Sequence, residues 1–399
     1  MVSLSEACDI IFNQLLPVNI EEVKVSDSLK RILAEDIFSP TDVPSFNQSA
    51  VDGYAIRKEN FIKDKKWIIK GEIKAGDNLN IDEQVFAEGT YKIFTGAMVP
   101  SSVNCIIMKE YADVDISKNT VRFNLENVKD FQNIRKAGEE LSRGEKLFSR
   151  GTIIDAEHIA VLASLGIRTI KTYKLFSIKI VVTGNELKSI DDKDIQAGEK
   201  FESNGIMLAN LLKKYFNANV QYEIVPDDEK KIFSAIKNAT DTCDIVITTG
   251  GVSVGDYDFT KPIIQKLGFQ IKFDKVAQKP GKPFVFAVHN DTSKIIFALP
   301  GNPRATLTCF YWYILRYLLK CYQTNKEWIL PVLQLPLNND YLINDNRSRI
   351  LFANIENNGI TIPEKQDSHM LITSAKANGL IVLENSKRKN ELVNVYLLR

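Results

Sequence analysis

Histidine is nearly absent. There are three in 399 residues, His158, His289 and His369, and no two are spaced to share a helix face. Zinc catalysis built on histidine is therefore not expected. Cysteine is sparse as well: five, an odd number, and never in a C-x-x-C spacing. That pattern supports neither a disulfide framework nor a zinc knot and reads as a chain from a reducing cytoplasm. Excess charge of either sign is missing, with Lys plus Arg at 51 and Asp plus Glu at 50. No global field draws the chain to nucleic acid or to an acidic membrane, so any anion site must be local. Long apolar runs are missing too. The stretch FYWYILRYLL at 310–319 is broken by Arg316 and is too short to span a bilayer. The opening residues MVSLSEACDIIFNQLL have no basic start and carry Glu6 and Asp9 inside their apolar pattern, so they read as an amphipathic helix, not a signal peptide. Neither G-K-[ST] nor G-x-G-x-x-G spacing accompanies the glycine-rich stretch at 244–258, which disfavours a nicotinamide cofactor and a Walker-type loop.

The rest is ordinary globular composition, 44% hydrophobic and 25% charged. Such a length holds about two to four domains. Residues 3–37 have helical periodicity. From Pro40 short β-like segments follow one another between glycines and prolines, predicting a β-rich domain over 43–134. Residues 1–42 and 135–172 are expected to form an N-terminal linking domain around it. Over 173–324 strands alternate with amphipathic helices, which predicts an α/β domain with a mostly parallel sheet. Residues 325–399 return to short strands and turns and read as a small C-terminal β domain, barrel-like in type.

Ligands of an open parallel sheet sit outside the carboxyl ends of its strands, and two strand ends here carry chemistry. IKIVVTGNE finishes on Thr183, Gly184, Asn185 and Glu186; DIVITTGGVSVGDYD finishes on Thr249, Gly250, Gly251, Ser253, Gly255 and Asp258. Glycines let backbone N–H groups approach an anion closely, although a tight strand-to-helix turn uses the same residues. In FDKVAQKPGKPF, Lys275, Lys279 and Lys282 could neutralise phosphate or an oxyanion, or could form a solvated hairpin. In LPGNP, Pro300, Gly301, Asn302 and Pro303 cap a helix and offer a third anion-ready edge. Upstream, Asp52 in SAVDGYA, Thr95 in TGAMVP and Arg135 with Glu140 in IRKAGEE put hydroxyl, acidic and basic groups in turns, where helix and turn capping is the competing use.

With these pieces assembled, the sequence resembles the molybdopterin molybdenumtransferases, the MoeA family, which includes the E domain of gephyrin. Seven motifs occur in the family's order: SAVDGYA, TGAMVP, IRKAGEE, TGNEL, TTGGVSVGDYD, KPGKP and LPGNP. The likeness spans nearly the whole chain and implies a MogA-like α/β domain. It also implies that adenylylated molybdopterin and molybdate enter and that molybdenum cofactor and AMP leave. It implies a homodimer whose site joins the α/β domain of one subunit to the β-rich domain of the other, and the upstream adenylyltransferase is an expected further partner.

On this resemblance Lys275, Lys279 and Arg135 hold negative charge, and Glu186, Asp227 and Asp258 place Mg²⁺. Asp52, Thr95 and Glu140 complete the catalytic set. Thr249, Gly250, Gly251, Ser253, Gly255, Lys282, the 300–303 turn and Ser368 bind substrate. Two positions depart from the pattern: Asn185 and Glu140 each stand where the family has Asp. Two other functions use the same α/β domain, the preceding adenylyltransferase step and a non-catalytic scaffold of the gephyrin type.

Overall fold

The computed structural model describes residues 1–81, 83–252, 259–324 and 332–398. It contains two compact units, one of Met1–Glu35 with Arg150–Arg399 and one of Asp36–Ser149.

The first unit is built on a six-stranded sheet in the order Tyr222–Val225, Ile178–Thr183, Ile245–Thr249, Ile295–Leu299, Val285–His289, Phe269–Phe273. The first four strands run parallel, and the last two close the edge as antiparallel neighbours. Both faces are covered, so the central strand Ile245–Thr249 is buried at every position, as a sheet sandwiched between helices requires. Alternate residues serve opposite cores. Ile180 and Val182 join one cluster and Val181 the other. The helix Glu229–Thr242 presents Ile232, Ala235, Ile236 and Ala239 to the second core as one stripe at helical spacing. The mostly parallel α/β sheet expected from the alternation of elements is present.

At the start of the chain, Leu4–Phe12 is an amphipathic helix closed by a Ser3–Glu6 capping box. Its buried Leu4, Ala7 and Ile11 enter the first core. The C-terminal strands Ser348–Glu356, Gly379–Leu383, Leu392–Leu397 and Val332–Pro336 form a second sheet of this unit. Its edge strand comes from elsewhere: Gln278–Lys279, in the lysine turn, runs parallel to Ser348–Glu356.

The second unit holds a six-stranded sheet in the order Cys105–Met108, Gly53–Ile56, Gly89–Ile93, Lys66–Ile73, Thr120–Phe123, Ala112–Asp115. One core packs around Phe86 and Ile93, the other around the fully buried Trp67. Two short ladders lie beside it: Gln48–Ser49 with Ile134–Arg135, and Ile37–Phe38 with Lys146–Phe148.

Candidate active site

Because four strands of the first unit are parallel, their carboxyl ends open on a single edge. A cavity of about 460 Å³ lies there. Thr183, Gly184, Glu186, Asp227, Thr249, Gly250, Gly251 and the whole 300–303 turn line it. Its glycines are needed where they stand. Gly250 has φ +90°, and a Cβ there would lie 2.5 Å from the Thr183 carbonyl oxygen. At Gly251, φ +61°, a Cβ would fall 2.6 Å from Thr260 Oγ1. The double glycine is thus what lets strand Ile245–Thr249 end beside Ile178–Thr183.

Two strand ends are tied across this edge. The Asp227 N–H donates to Asn185 Oδ1 at 2.9 Å, and the Asn185 N–H donates to Asp227 Oδ2 at 3.3 Å. Burial raises the Asp227 carboxyl above its ordinary range; the Asn185 N–H opposes the rise and the nearby Glu186 charge adds to it. Glu186 itself is paired with Lys200 at 3.1 Å. Two further wall residues carry buried polar atoms with no partner, Asn204 Oδ1 and Thr249 Oγ1. The Asn204 amide nitrogen is committed to the Gly301 carbonyl at 2.7 Å.

A second, smaller pocket of about 160 Å³ is basic. Lys279 and Arg349 are register partners in the short parallel ladder, so their side chains leave the same face. Both line the pocket with Arg304, Tyr341, Glu364 and Asp367. Arg304 is fully buried; its guanidinium donates to the Asp367 carbonyl at 3.4 Å and to Gln366 Oε1, and Nε has no partner. Burial pulls its pKa down to about 10. Arg349 is held by Asp345 at 2.8 Å. Ser368 joins the two cavities' shared turn, its Oγ accepting from Asn302 Nδ2 at 2.9 Å and its carbonyl from the Arg304 N–H at 3.0 Å. Lys275 and Lys282 line neither cavity. The Lys275 carbonyl accepts from the Val2 N–H at 3.0 Å.

In the second unit three of the upstream motifs meet. Asp52 Oδ1 accepts from both Thr95 N–H and Thr95 Oγ1 at 2.9 Å, and Lys109 Nζ lies 3.3 Å from Oδ2. The Thr95 bonds come first in holding the Asp52 carboxyl below the usual carboxylate range. Ser49 N–H donates to the Ala97 carbonyl at 3.0 Å, and Ser49 is the ladder partner of Ile134, which places Arg135 at the same end of the unit. Glu140 is exposed in the next turn, where its N–H donates to the Val43 carbonyl at 3.0 Å. Ser253, Gly255 and Asp258 lie outside the described residues. Among the described residues no three His, Cys, Asp or Glu side chains cluster as a metal site.

Comparison with known proteins assigns the chain. Residues 2–166 match the MoeA N-terminal region (domain I and II), 179–320 a probable molybdopterin binding domain, and 334–398 the MoeA C-terminal region (domain IV). The molybdopterin molybdenumtransferase of Haemophilus influenzae is 35% identical over 332 residues, 83% of this chain and 80% of that protein. The chain belongs to the MoeA family. The Staphylococcus epidermidis molybdopterin molybdenumtransferase is another MoeA relative, 33% identical over 78% of this chain and 74% of its own length. A crystal structure of the molybdopterin biosynthesis MoeA protein of Pyrococcus horikoshii superposes with a TM-score of 0.80 at 26% identity, covering 100% of both chains. As a MoeA protein the chain is a transferase of molybdenum cofactor biosynthesis.

Three wall residues of this MoeA chain escape sequence reasoning: Asn204, Arg304 and Arg349. Arg304 directly follows LPGNP, and a cation in the first turn of a buried helix is a usable signal. Arg349 sits in NDNRSRILF, where nothing marks it.

Proposed function

We propose that this chain inserts molybdenum from molybdate into adenylylated molybdopterin, forming molybdenum cofactor and releasing AMP. One observation carries the reading. The large glycine-lined cavity and the small basic pocket adjoin across consecutive residues, with Pro303 in the wall of one and Arg304 in the wall of the other. An organic phosphate and an inorganic oxyanion can therefore be held side by side. Arg304 is buried with no carboxylate bonded to it, and the three cations of the pocket outnumber its two lining carboxylates, Glu364 and Asp367, so the pocket suits an anion. Lys279, Arg304 and Arg349 accordingly take molybdate. The glycine-rich edge takes the pterin phosphate, and the free acceptors Asn204 Oδ1 and Thr249 Oγ1 await donors on the substrate side.

Glu186 and Asp227 suit a divalent cation: they share one cavity, and the charge of Glu186 helps keep the Asp227 carboxyl raised, a repulsion that a cation removes. Bound there, Mg²⁺ would neutralise the anhydride phosphates; Asp258 is a further ligand in this proposal. The Asp52–Thr95 cluster, with Arg135 and Glu140, is accessible and ordered by hydrogen bonds that its own core does not use. We assign it to the site of a second copy in a cytoplasmic homodimer, an upstream adenylyltransferase supplying the substrate.

The test is AMP release from adenylylated molybdopterin by the purified protein. Release that depends on molybdate supports the proposal. Formation of adenylylated product from ATP and molybdopterin would assign the preceding step instead, and no turnover in either assay would favour a scaffold.

A further inference from the structure

The lysine turn is anchored from inside the fold. Gln278 and Lys279 are consecutive in one strand, so their side chains leave opposite faces. Lys279 is exposed at the basic pocket, while Gln278 is fully buried. A buried amide destabilises a fold unless its polar atoms are paired, and these are. Oε1 accepts from the Tyr313 hydroxyl; Nε2 donates to the Gly281 carbonyl at 3.1 Å and to Cys309 Sγ at 3.8 Å. A carbonyl can only accept, which fixes the amide's orientation.

The seat leaves no slack. Gly281 turns the chain at φ +87°, and a Cβ there would lie 2.7 Å from Gln278 Nε2 and 2.9 Å from Cys309 Sγ. Tyr313 comes from a π-helical segment, Phe310–Leu315, and π turns re-aim side chains relative to an α-helix. Its burial keeps the phenol neutral and able to donate. Neither Gln278 nor Tyr313 lines either of the two cavities described above. Filling the same space would require only an apolar side chain. The amide adds direction, and that direction ends on the carbonyl of the turn between Lys279 and Lys282.

We propose that Gln278 and Tyr313 are positioning residues for oxyanion capture: by gripping the Gly281 carbonyl they keep the Lys279 ammonium beside Arg304 and Arg349. The inference rests on the oxyanion reading of the basic pocket.

Calorimetric binding of sodium molybdate to the full-length protein tests it. The variants are Lys279→Ala, Tyr313→Phe and the double variant Gln278→Leu with Tyr313→Phe, each with its thermal unfolding recorded. Tyr313→Phe leaves the amide oxygen unpaired and should melt earlier. The double variant removes the Tyr313–Gln278 pair but leaves the Gly281 carbonyl without its donor, so it should recover only part of that loss. Molybdate affinity should not recover. It should stay about tenfold weak, as when outer partners of ligating groups are lost. KM for molybdate should rise with kcat nearly unchanged, and AMP binding should stay as in the wild type. Wild-type molybdate affinity in the double variant, with Lys279→Ala having lost it, overturns the positioning role alone. Wild-type affinity in Lys279→Ala overturns the oxyanion reading and the inference with it. If the double variant does not fold, Tyr313→Phe decides: weakened molybdate binding with unchanged AMP binding supports the role, and unchanged molybdate binding overturns it.

Discussion

Asn185 and Asp227 each accept the other's backbone N–H, at 2.9 and 3.3 Å, and so fasten two neighbouring strand ends at the rim of the cavity. A neutral amide does this beside two carboxylates, Asp227 and Glu186, without adding a third charge. Asn185→Ala should therefore cost about 1–2 kcal/mol in unfolding free energy, since the Asp227 N–H loses its acceptor. Asn185→Asp should keep the tie but bring a third negative charge to Glu186 and Asp227. Denaturant unfolding at pH 7 should find it less stable without metal, with a larger gain on adding Mg²⁺ than the wild type shows.

Arg304→Met separates stability from function. A buried cation with one unpaired nitrogen is replaced by an apolar chain of similar length: the cost of burying the charge is removed, while the Asp367 carbonyl and Gln366 Oε1 each lose a donor. The two effects oppose, so the melting temperature should change only slightly. KM for molybdate should rise at least about tenfold, in line with a charge-assisted contact of about 1.5–3 kcal/mol. A melting temperature that falls by many degrees would show that Arg304 serves the fold and not the pocket.

Gly250→Ala should be among the most damaging single changes in the first unit. The φ of +90° is strained for any side chain, and the new Cβ meets a backbone oxygen at 2.5 Å, which cannot swing away. A loss of about 2–4 kcal/mol is expected from strain and forced displacement of the strand end. Equilibrium urea unfolding measures it. Gly301→Ala is the control, because a Cβ there lies 3.6 Å from its nearest neighbour and φ is not positive.

Much of this fold was legible in the sequence. IVVT, IVITT and IIFAL are continuous apolar runs that end on glycine or on Pro-Gly, and that combination signals buried parallel strands with a ligand edge. The meeting of Asp52 with Thr95 was not readable from spacing, because they are 43 positions apart and joined by side-chain hydrogen bonds. The basic pocket was half visible. KPGKP announced Lys279, but a two-residue ladder has no periodicity, so nothing foretold that it would leave the α/β sheet and pair with Ser348–Glu356. Arg349 became a site residue only through that pairing.

Asp52 has a distinct pH signature. Hydrogen bonds from Thr95 hold its carboxyl below the usual range, so the stability it contributes is complete above about pH 4 and drains as pH falls through the lowered value. Asp52→Asn should flatten the acid limb of the wild-type stability profile. It should also abolish AMP release, with the melting temperature somewhat lowered at pH 7 and converging on the wild type in acid. Mixing it with Lys279→Ala chains should return roughly a quarter of wild-type sites if, as proposed, each site of a two-fold dimer draws on both chains. No recovery after confirmed chain exchange would confine Asp52 to its own chain.

The position of the oxyanion decides the role of the basic pocket. Anomalous X-ray scattering from crystals soaked in molybdate locates it directly. The predicted peak lies among Lys279, Arg304 and Arg349, across the 300–304 turn from the large cavity, and disappears in Lys279→Ala crystals. A peak elsewhere, undiminished in that variant, would contradict the account.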